Sequence, residues 1–222
     1  MLQTALRLRP FSLQQRRRKI QLVTVLLGIV WTAGIAFGLR ILFAYETKPG
    51  TMGAVPTEWP ATSQIERLTD RPTLIMLAHP RCPCTRASMA ELAQLMARVQ
   101  GKVYAYVLFL TPNPIGGDWE NTDLRRRAAA IPGVKVLTDI DGVEARRFGA
   151  ETSGHTILFA RDGRLLFSGG ITESRGHAGN SVGERAIEAV LNNESPTRTA
   201  TFVFGCALAN HAEIGGKTRC LK

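Results

Sequence analysis

Acidic side chains are missing from the first 45 residues of this 222-residue chain, which carry Arg7, Arg9, Arg16, Arg17, Arg18, Lys19 and Arg40 unopposed. The formal charge of +10 therefore lies mostly at one end. The remaining 177 residues hold 21 basic and 18 acidic side chains, close to balance. That distribution argues against a nucleic-acid role. Cysteine is scarce at four residues, and histidine equally so. No internal repeat is visible, and no Ser-His-Asp set or paired carboxylates have a recognisable arrangement. The glycine-rich run from Gly169-Gly170 to Gly183 lacks the G-x-x-x-x-G-K-[ST] spacing of a phosphate loop.

Charge is also absent from Leu22 to Leu39, and the apolar run resumes after Arg40 through Ile41-Leu42-Phe43-Ala44-Tyr45. A helix of about 20 such residues spans a hydrocarbon core of roughly 30 Å. Arg40 can snorkel to the interface, and Trp31 and Tyr45 suit interfacial positions. The run exceeds the apolar length of a cleaved signal peptide, and no A-x-A site follows it. Residues 20–45 are expected to be an uncleaved single-pass anchor in the lipid bilayer of the cytoplasmic membrane. The basic segment 1–19 then stays in the cytoplasm, and the carboxy-terminal domain lies on the periplasmic, exported side.

Residues 46–62, rich in Pro, Gly and Thr, read as a linker. Ser63 and Glu66 have capping-box spacing and predict a helical turn. Thr73–Ala78 and Val103–Leu110 are continuously apolar, as strands buried on both faces are. Met89, Leu92, Leu95, Met96 and Val99 recur at helical spacing between them. A helix near 121–130, a strand at 134–138 and a short helix at 143–148 follow. Apolar runs at 155–160 and 164–168 flank Asp162-Gly163, a hairpin signal. Ser181-x-x-Glu184 caps a last helix. The pattern predicts an α/β domain over 63–195, a mixed sheet flanked by helices, with an extension at 196–222 that holds two cysteines.

The chemistry concentrates in His79-Pro80-Arg81-Cys82-Pro83-Cys84-Thr85-Arg86, at a strand-to-helix junction. Unpaired helix N–H groups and the positive dipole end stabilise a thiolate there, and Arg81 and Arg86 add charge. The competing reading is a pair of buried structural cysteines. Trp119, after Gly116-Gly117, is a candidate to lie over the cleft, and His211 reads as an exposed tail residue.

On these residues the chain resembles the thioredoxin-like superfamily, preceded by one transmembrane helix. More narrowly it is similar to the RedB-type branch, through His79–Cys84, Thr152-Ser153-Gly154, Gly169-Gly170-Ile171-Thr172 to Arg175-Gly176-His177, and Phe204-Gly205-Cys206. Aligned without a gap, Cys82-Pro83-Cys84-Thr85 falls on the thioredoxin Cys-Gly-Pro-Cys. Cys82 then matches the attacking cysteine, and Thr85 stands where the resolving one would be. Gly154-His155-Thr156 falls where thioredoxins carry a cis-proline beside the dithiol, which implies that His155 faces Cys82.

The resemblance implies a thiol–disulfide oxidoreductase acting on a protein thiol or disulfide client. Cys82 is its nucleophile, Cys84 closes the disulfide and His155 moves a proton; no cofactor is needed. His79, Pro80, Arg81, Thr85, Arg86, Arg175, His177 and Cys206 are expected to line the site. An alternative is a Cu(I) metallochaperone similar to the Sco type, with Cys82, Cys84 and His155 as ligands. The Sco cysteines, however, are spaced C-x-x-x-C. A further alternative is a non-catalytic binding module. Cys206 either staples to Cys220 or returns to the dithiol as a resolving thiol or third sulfur ligand.

Overall fold

The computed structural model describes residues 11–113, 119 and 121–208. Cys220, His211 and Gly116-Gly117 lie outside them. The chain divides into two units, residues 1–45 and 46–222. The first contains most of helix α1 (Phe11–Glu46), 36 residues long. Within it, Gln15–Glu46 has a mean hydropathy of 2.2 over its most apolar window, long and apolar enough to cross a membrane.

The second unit follows the order β1 (Thr73–Ala78), α2 (Thr85–Arg98), β2 (Tyr104–Thr111), α3 (Asp123–Ala129), β3 (Val134–Ile140), α4 (Val143–Arg147), β4 (His155–Phe159), β5 (Leu165–Gly169) and α5 (Val182–Leu191). The sheet order is β3-β2-β1-β4-β5. Strands β1, β2 and β3 run parallel, whereas β4 is antiparallel to both β1 and β5. Strand β1 is central and buried along its whole length.

Alternation along β1 divides the core in two. Leu74, Met76 and Ala78 join Met89, Leu92 and Leu95 of α2 and Ile187 of α5. Ile75 and Leu77 face the other way, toward Phe148, Ile157 and Phe159. The Trp59 ring closes this second core edge-on, 5.1 Å from Phe148 and 5.3 Å from Phe159. Both layers position the loop after β1: one holds α2 beneath it, the other holds β4 beside it.

The capping expectation holds at Ser181, whose hydroxyl accepts the Glu184 N–H. It fails at Ser63. No helix forms there; the Ser63 hydroxyl donates to Glu144 Oε2 at 2.6 Å and accepts the Ile65 N–H. A tertiary carboxylate replaces the local capping partner, so the segment remains a turn.

Residues 46–62, read from sequence as a linker, lie against the domain. Gly50 N–H donates to Val203, Thr152 donates its hydroxyl to the Thr51 carbonyl, and Leu165 N–H donates to Thr57. The segment following α5 is likewise tied down. Ser168 N–H donates to Thr199, Thr201 N–H to Ser168 and Gly170 N–H to Phe202. This carboxy-terminal strap covers the otherwise open edge of β5, satisfying backbone groups that would stand unpaired.

Candidate active site

After β1 the chain turns through His79-Pro80-Arg81, with the Cys82 N–H on the His79 carbonyl at 3.2 Å. Pro83 and Cys84 occupy the centre of a second turn, closed by the Thr85 N–H on the Cys82 carbonyl at 3.2 Å. Proline suits the first central position because its ring presets φ. Cys84 is the N-cap residue of α2, with helical φ −65° and ψ −32°. Cys82 and Cys84 therefore sit at the helix start, as expected. Cys82, however, is only 1% exposed. The nucleophile expected from sequence is therefore buried.

Cys206 packs directly against it. The strap's Cys206 Sγ lies 2.8 Å from Cys82 Sγ, and its backbone N–H points at the same sulfur across 3.4 Å. Three contacts fix the strap here: Ser153 N–H to the Cys206 carbonyl, Leu208 N–H to the Glu151 carbonyl, and the Arg175 guanidinium to the Gly205 carbonyl. Gly205 is required by close approach, since a Cβ there would sit 2.0 Å from the Ser153 carbonyl oxygen. The sulfurs of Cys82, Cys84 and Cys206 all lie within 4.8 Å of one another.

Their electrostatics differ. The hydrogen bond from Cys206 holds the Cys82 thiol well below its ordinary range, helped by Thr85 and opposed by burial. Burial and then the Cys82 charge push Cys84 up, with Arg175 opposing. Donating to Cys82, more than burial, pushes Cys206 up. Of the three thiols, Cys82 is the one pushed toward ionisation, and Cys84 and Cys206 are pushed away from it.

Arg175 is the cation that bears on Cys84 and Cys206. Arg81 and Arg86, expected to supply charge, are engaged elsewhere. The Arg81 guanidinium stacks 4.7 Å over the Trp119 ring, and Arg86 pairs with Asp123 at 3.3 Å. Trp119 also meets the His79 ring edge-on at 5.4 Å, so this tryptophan lies beside the dithiol loop. His79 Nδ1 accepts the Arg81 N–H, and burial lowers the His79 pKa against the pull of the Cys82 charge. Pro80 is buried.

Ser153, which sequence reasoning did not single out for the site, joins its parts. Its Oγ accepts the His79 N–H and lies 2.7 Å from Thr85 Oγ1. The Thr152-Ser153-Gly154 landmark was the available signal. Gly154, at φ +90°, then turns the chain into β4 with its N–H on the Leu77 carbonyl.

His155 does not join the sulfurs. It pairs with Leu77 in the β1–β4 register and shares a strand face with Ile157 and Phe159. Its fully buried ring places Nε2 2.8 Å from Ser168 Oγ, and burial lowers its pKa to about 4. The expectation that the imidazole faces Cys82 is thus corrected: Gly154 supplies the turn, and strand alternation carries the ring to the face of the second core. His177 is exposed, its Nδ1 near the Arg175 carbonyl.

No protein-family model matches this chain, and no curated protein matches it in sequence. Among solved structures, a hypothetical protein from Sinorhizobium meliloti 1021 is similar at TM-score 0.52 and 20% identity, over 72% of this chain and 93% of that one. An uncharacterized conserved protein from Geobacillus kaustophilus is similar at TM-score 0.51 and 18% identity, over 73% and 92%. A secreted Mycobacterium tuberculosis disulfide oxidoreductase matches at TM-score 0.39 and 14% identity, over 57% and 84%. The mixed sheet, with β1, β2 and β3 parallel, an antiparallel β4–β5 pair and flanking helices, is a thioredoxin-like fold.

Proposed function

We propose that this protein is a thiol–disulfide oxidoreductase, anchored by α1 with its second unit on the exported side. Cys82 of the Cys82-Pro83-Cys84 motif exchanges disulfides with a protein client. Its resemblance to the RedB-type branch at the sequence landmarks supports membership of that branch. One observation carries it: a cysteine at a helix start whose sulfur accepts the Cys206 N–H, with two further thiols within 4.8 Å. The thiolate is the form that attacks a disulfide. Attack joins Cys82 to one client sulfur and releases the other as a thiolate. A neighbouring thiol then displaces the client from Cys82, so two electrons pass to the client and a disulfide remains in this protein.

The test uses reduced full-length chain in detergent micelles and a protein disulfide such as insulin. Cys82→Ser is expected to abolish reduction of that substrate. Cys82 should be alkylated below neutral pH more readily than an ordinary thiol. Slow alkylation of all cysteines, with insulin left intact, sinks the proposal.

A second reading, Cu(I) delivery, is favoured by the clustering of three sulfurs, a soft donor set that suits that ion. Cys82, Cys84 and Cys206 would be the ligands, with Cys206 in place of His155. Stoichiometric copper retained against a Cu(I) chelator, without insulin reduction, would select it.

A further inference from the structure

Two neighbours compete to complete the exchange at Cys82: Cys84, two residues along the chain, and Cys206, delivered by the strap. The backbone separates them. Thr85, Arg86 and Ala87 each donate to the carbonyl three residues back, winding residues 82–87 as one tight turn into α2. Side chains two positions apart on such a turn leave the axis in different directions. A disulfide, by contrast, needs Cβ atoms about 3.5–4.5 Å apart and a torsion near 90°. Joining Cys82 to Cys84 would require unwinding the turn that Pro83 stiffens, at the cost of the Thr85 N–H bond to the Cys82 carbonyl.

Cys206 carries no such constraint. It approaches Cys82 from a separate segment, with 2.8 Å between the sulfurs. Its backbone is fixed on both sides, by the Ser153 N–H on its carbonyl and by the bridge between Thr152 and Ala207. We propose that Cys206 is the resolving cysteine, and that the oxidised protein carries a Cys82–Cys206 disulfide tying the carboxy-terminal strap to the start of α2. This assignment rests on the oxidoreductase reading.

A client disulfide reaches Cys82 by displacing Cys206 from that sulfur. The Cys82 thiolate bonds one client sulfur, and the other leaves as a thiolate. The Cys206 thiol gives its proton to that leaving thiolate and attacks Cys82 Sγ, breaking the mixed disulfide. The second client sulfur departs as a thiolate and takes a proton from solvent. The client is reduced by two electrons, and the Cys82–Cys206 pair is oxidised by two.

Peptide mapping decides the matter. Full-length protein in micelles is oxidised with one equivalent of glutathione disulfide, acid-quenched, alkylated and digested with trypsin without reduction. Cleavage after arginine and lysine puts Cys82 and Cys84 in peptide 82–86, Cys206 in 199–217 and Cys220 in 220–222. The expected product links 82–86 to 199–217, and the link persists in Cys84→Ser. In Cys206→Ser, a glutathione adduct on Cys82 should accumulate, its release slowed about tenfold or more for want of a resolving thiolate. A Cys82–Cys84 loop within 82–86, or a link between 199–217 and 220–222, in the unmodified chain overturns the assignment while leaving the nucleophile intact. Absence in Cys206→Ser of both a Cys82 adduct and a Cys82–Cys84 disulfide, with its circular dichroism unchanged, removes the oxidoreductase reading itself.

Discussion

Ser153 Oγ lies 2.7 Å from Thr85 Oγ1 while accepting the His79 N–H at 2.7 Å, so one buried hydroxyl joins the loop before β4 to both ends of the cysteine loop. Thr85 in turn helps hold the Cys82 thiol below its ordinary range. Ser153→Ala leaves the His79 N–H without its acceptor, which costs about 1–3 kcal/mol for a buried group. Urea unfolding should show that loss. The pH profile of Cys82 alkylation should also shift upward, because Thr85 is no longer held in place to donate. An unshifted profile would reduce Ser153 to a structural hydroxyl.

The opposed shifts of Cys82 and Cys206 give the reduced protein a distinctive stability profile. Cys82 is depressed below its ordinary value of 9.0, so over neutral pH the unfolded chain holds a proton that the folded one has released. Stability from this group therefore grows as pH rises and is complete above pH 9. Cys206 and Cys84 are raised, and above pH 9 they act in reverse, since unfolding then lets them ionise. Reduced protein should gain stability from mildly acidic to mildly alkaline pH relative to Cys82→Ser, then lose it above pH 9. Urea titrations of both chains across that range measure the difference. A flat difference would mean that Cys82 is not a thiolate in the folded state.

Much of this was legible from local pattern. The unbroken apolar runs of β1 and β2 mark strands covered on both faces, and the stripe Met89–Leu92–Leu95 is the buried face of α2. Asp162-Gly163 does turn β4 into β5, with Gly163 at φ +92°. Illegible were features that depend on distant partners. Nothing near Ser63 reveals that Glu144 takes its hydroxyl. Nothing in residues 46–62 or 199–208 has a period, yet their backbones pair with β5 and its flanking loops. The direction of His155 follows from a one-residue matter of strand phase, which an alignment to a cis-proline cannot supply. Cys206 was visible as a candidate only because it stood in a shared landmark; its approach to Cys82 depends on where the strap runs.

A buried acid pair outside the cysteine site gives an independent check on packing between α2 and α5. Burial, and then the nearby Glu91, raise the Glu184 pKa from 4.5 to about 7, although Arg98 pairs with it. From pH 4.5 to 7 the unfolded chain has lost a proton that the folded chain keeps, so stability falls as pH rises. Glu184→Gln keeps an acceptor for Arg98 and cannot ionise. It should gain on the wild type steadily through that window and hold a constant advantage above it. Thermal unfolding at several pH values reads this directly, and parallel curves would show that Glu184 is ionised throughout.

The orientation of α1 is tested by reporter fusion. Seven basic residues and no acid in residues 1–45 favour a cytoplasmic amino terminus. Alkaline phosphatase fused after Lys222 should be active, and the fusion should remain in the membrane pellet after alkaline carbonate. An inactive fusion, or one released to the supernatant, would remove either the exported placement or the anchor.

Gly205 offers a way to disturb Cys206 without touching a sulfur. The Ser153 carbonyl oxygen would lie 2.0 Å from a Cβ at this position, and it is strand-flanking backbone that cannot swing aside. Gly205→Ala must therefore lift the strap locally, drawing Cys206 away from Cys82 while both thiols remain. The Cys82 thiolate loses the donor that most depresses its pKa, so its alkylation at pH 6 should slow once normalised for exposure. Exposure itself should increase, because Cys206 packs directly against Cys82. These effects separate in a pH series, where the midpoint moves upward while the limiting rate at high pH rises. The peptide link between 82–86 and 199–217 should form more slowly in the same variant. If both midpoint and link formation match the wild type, the close fit of the strap does not govern the thiolate, and the pairing of Cys82 with Cys206 loses its structural basis.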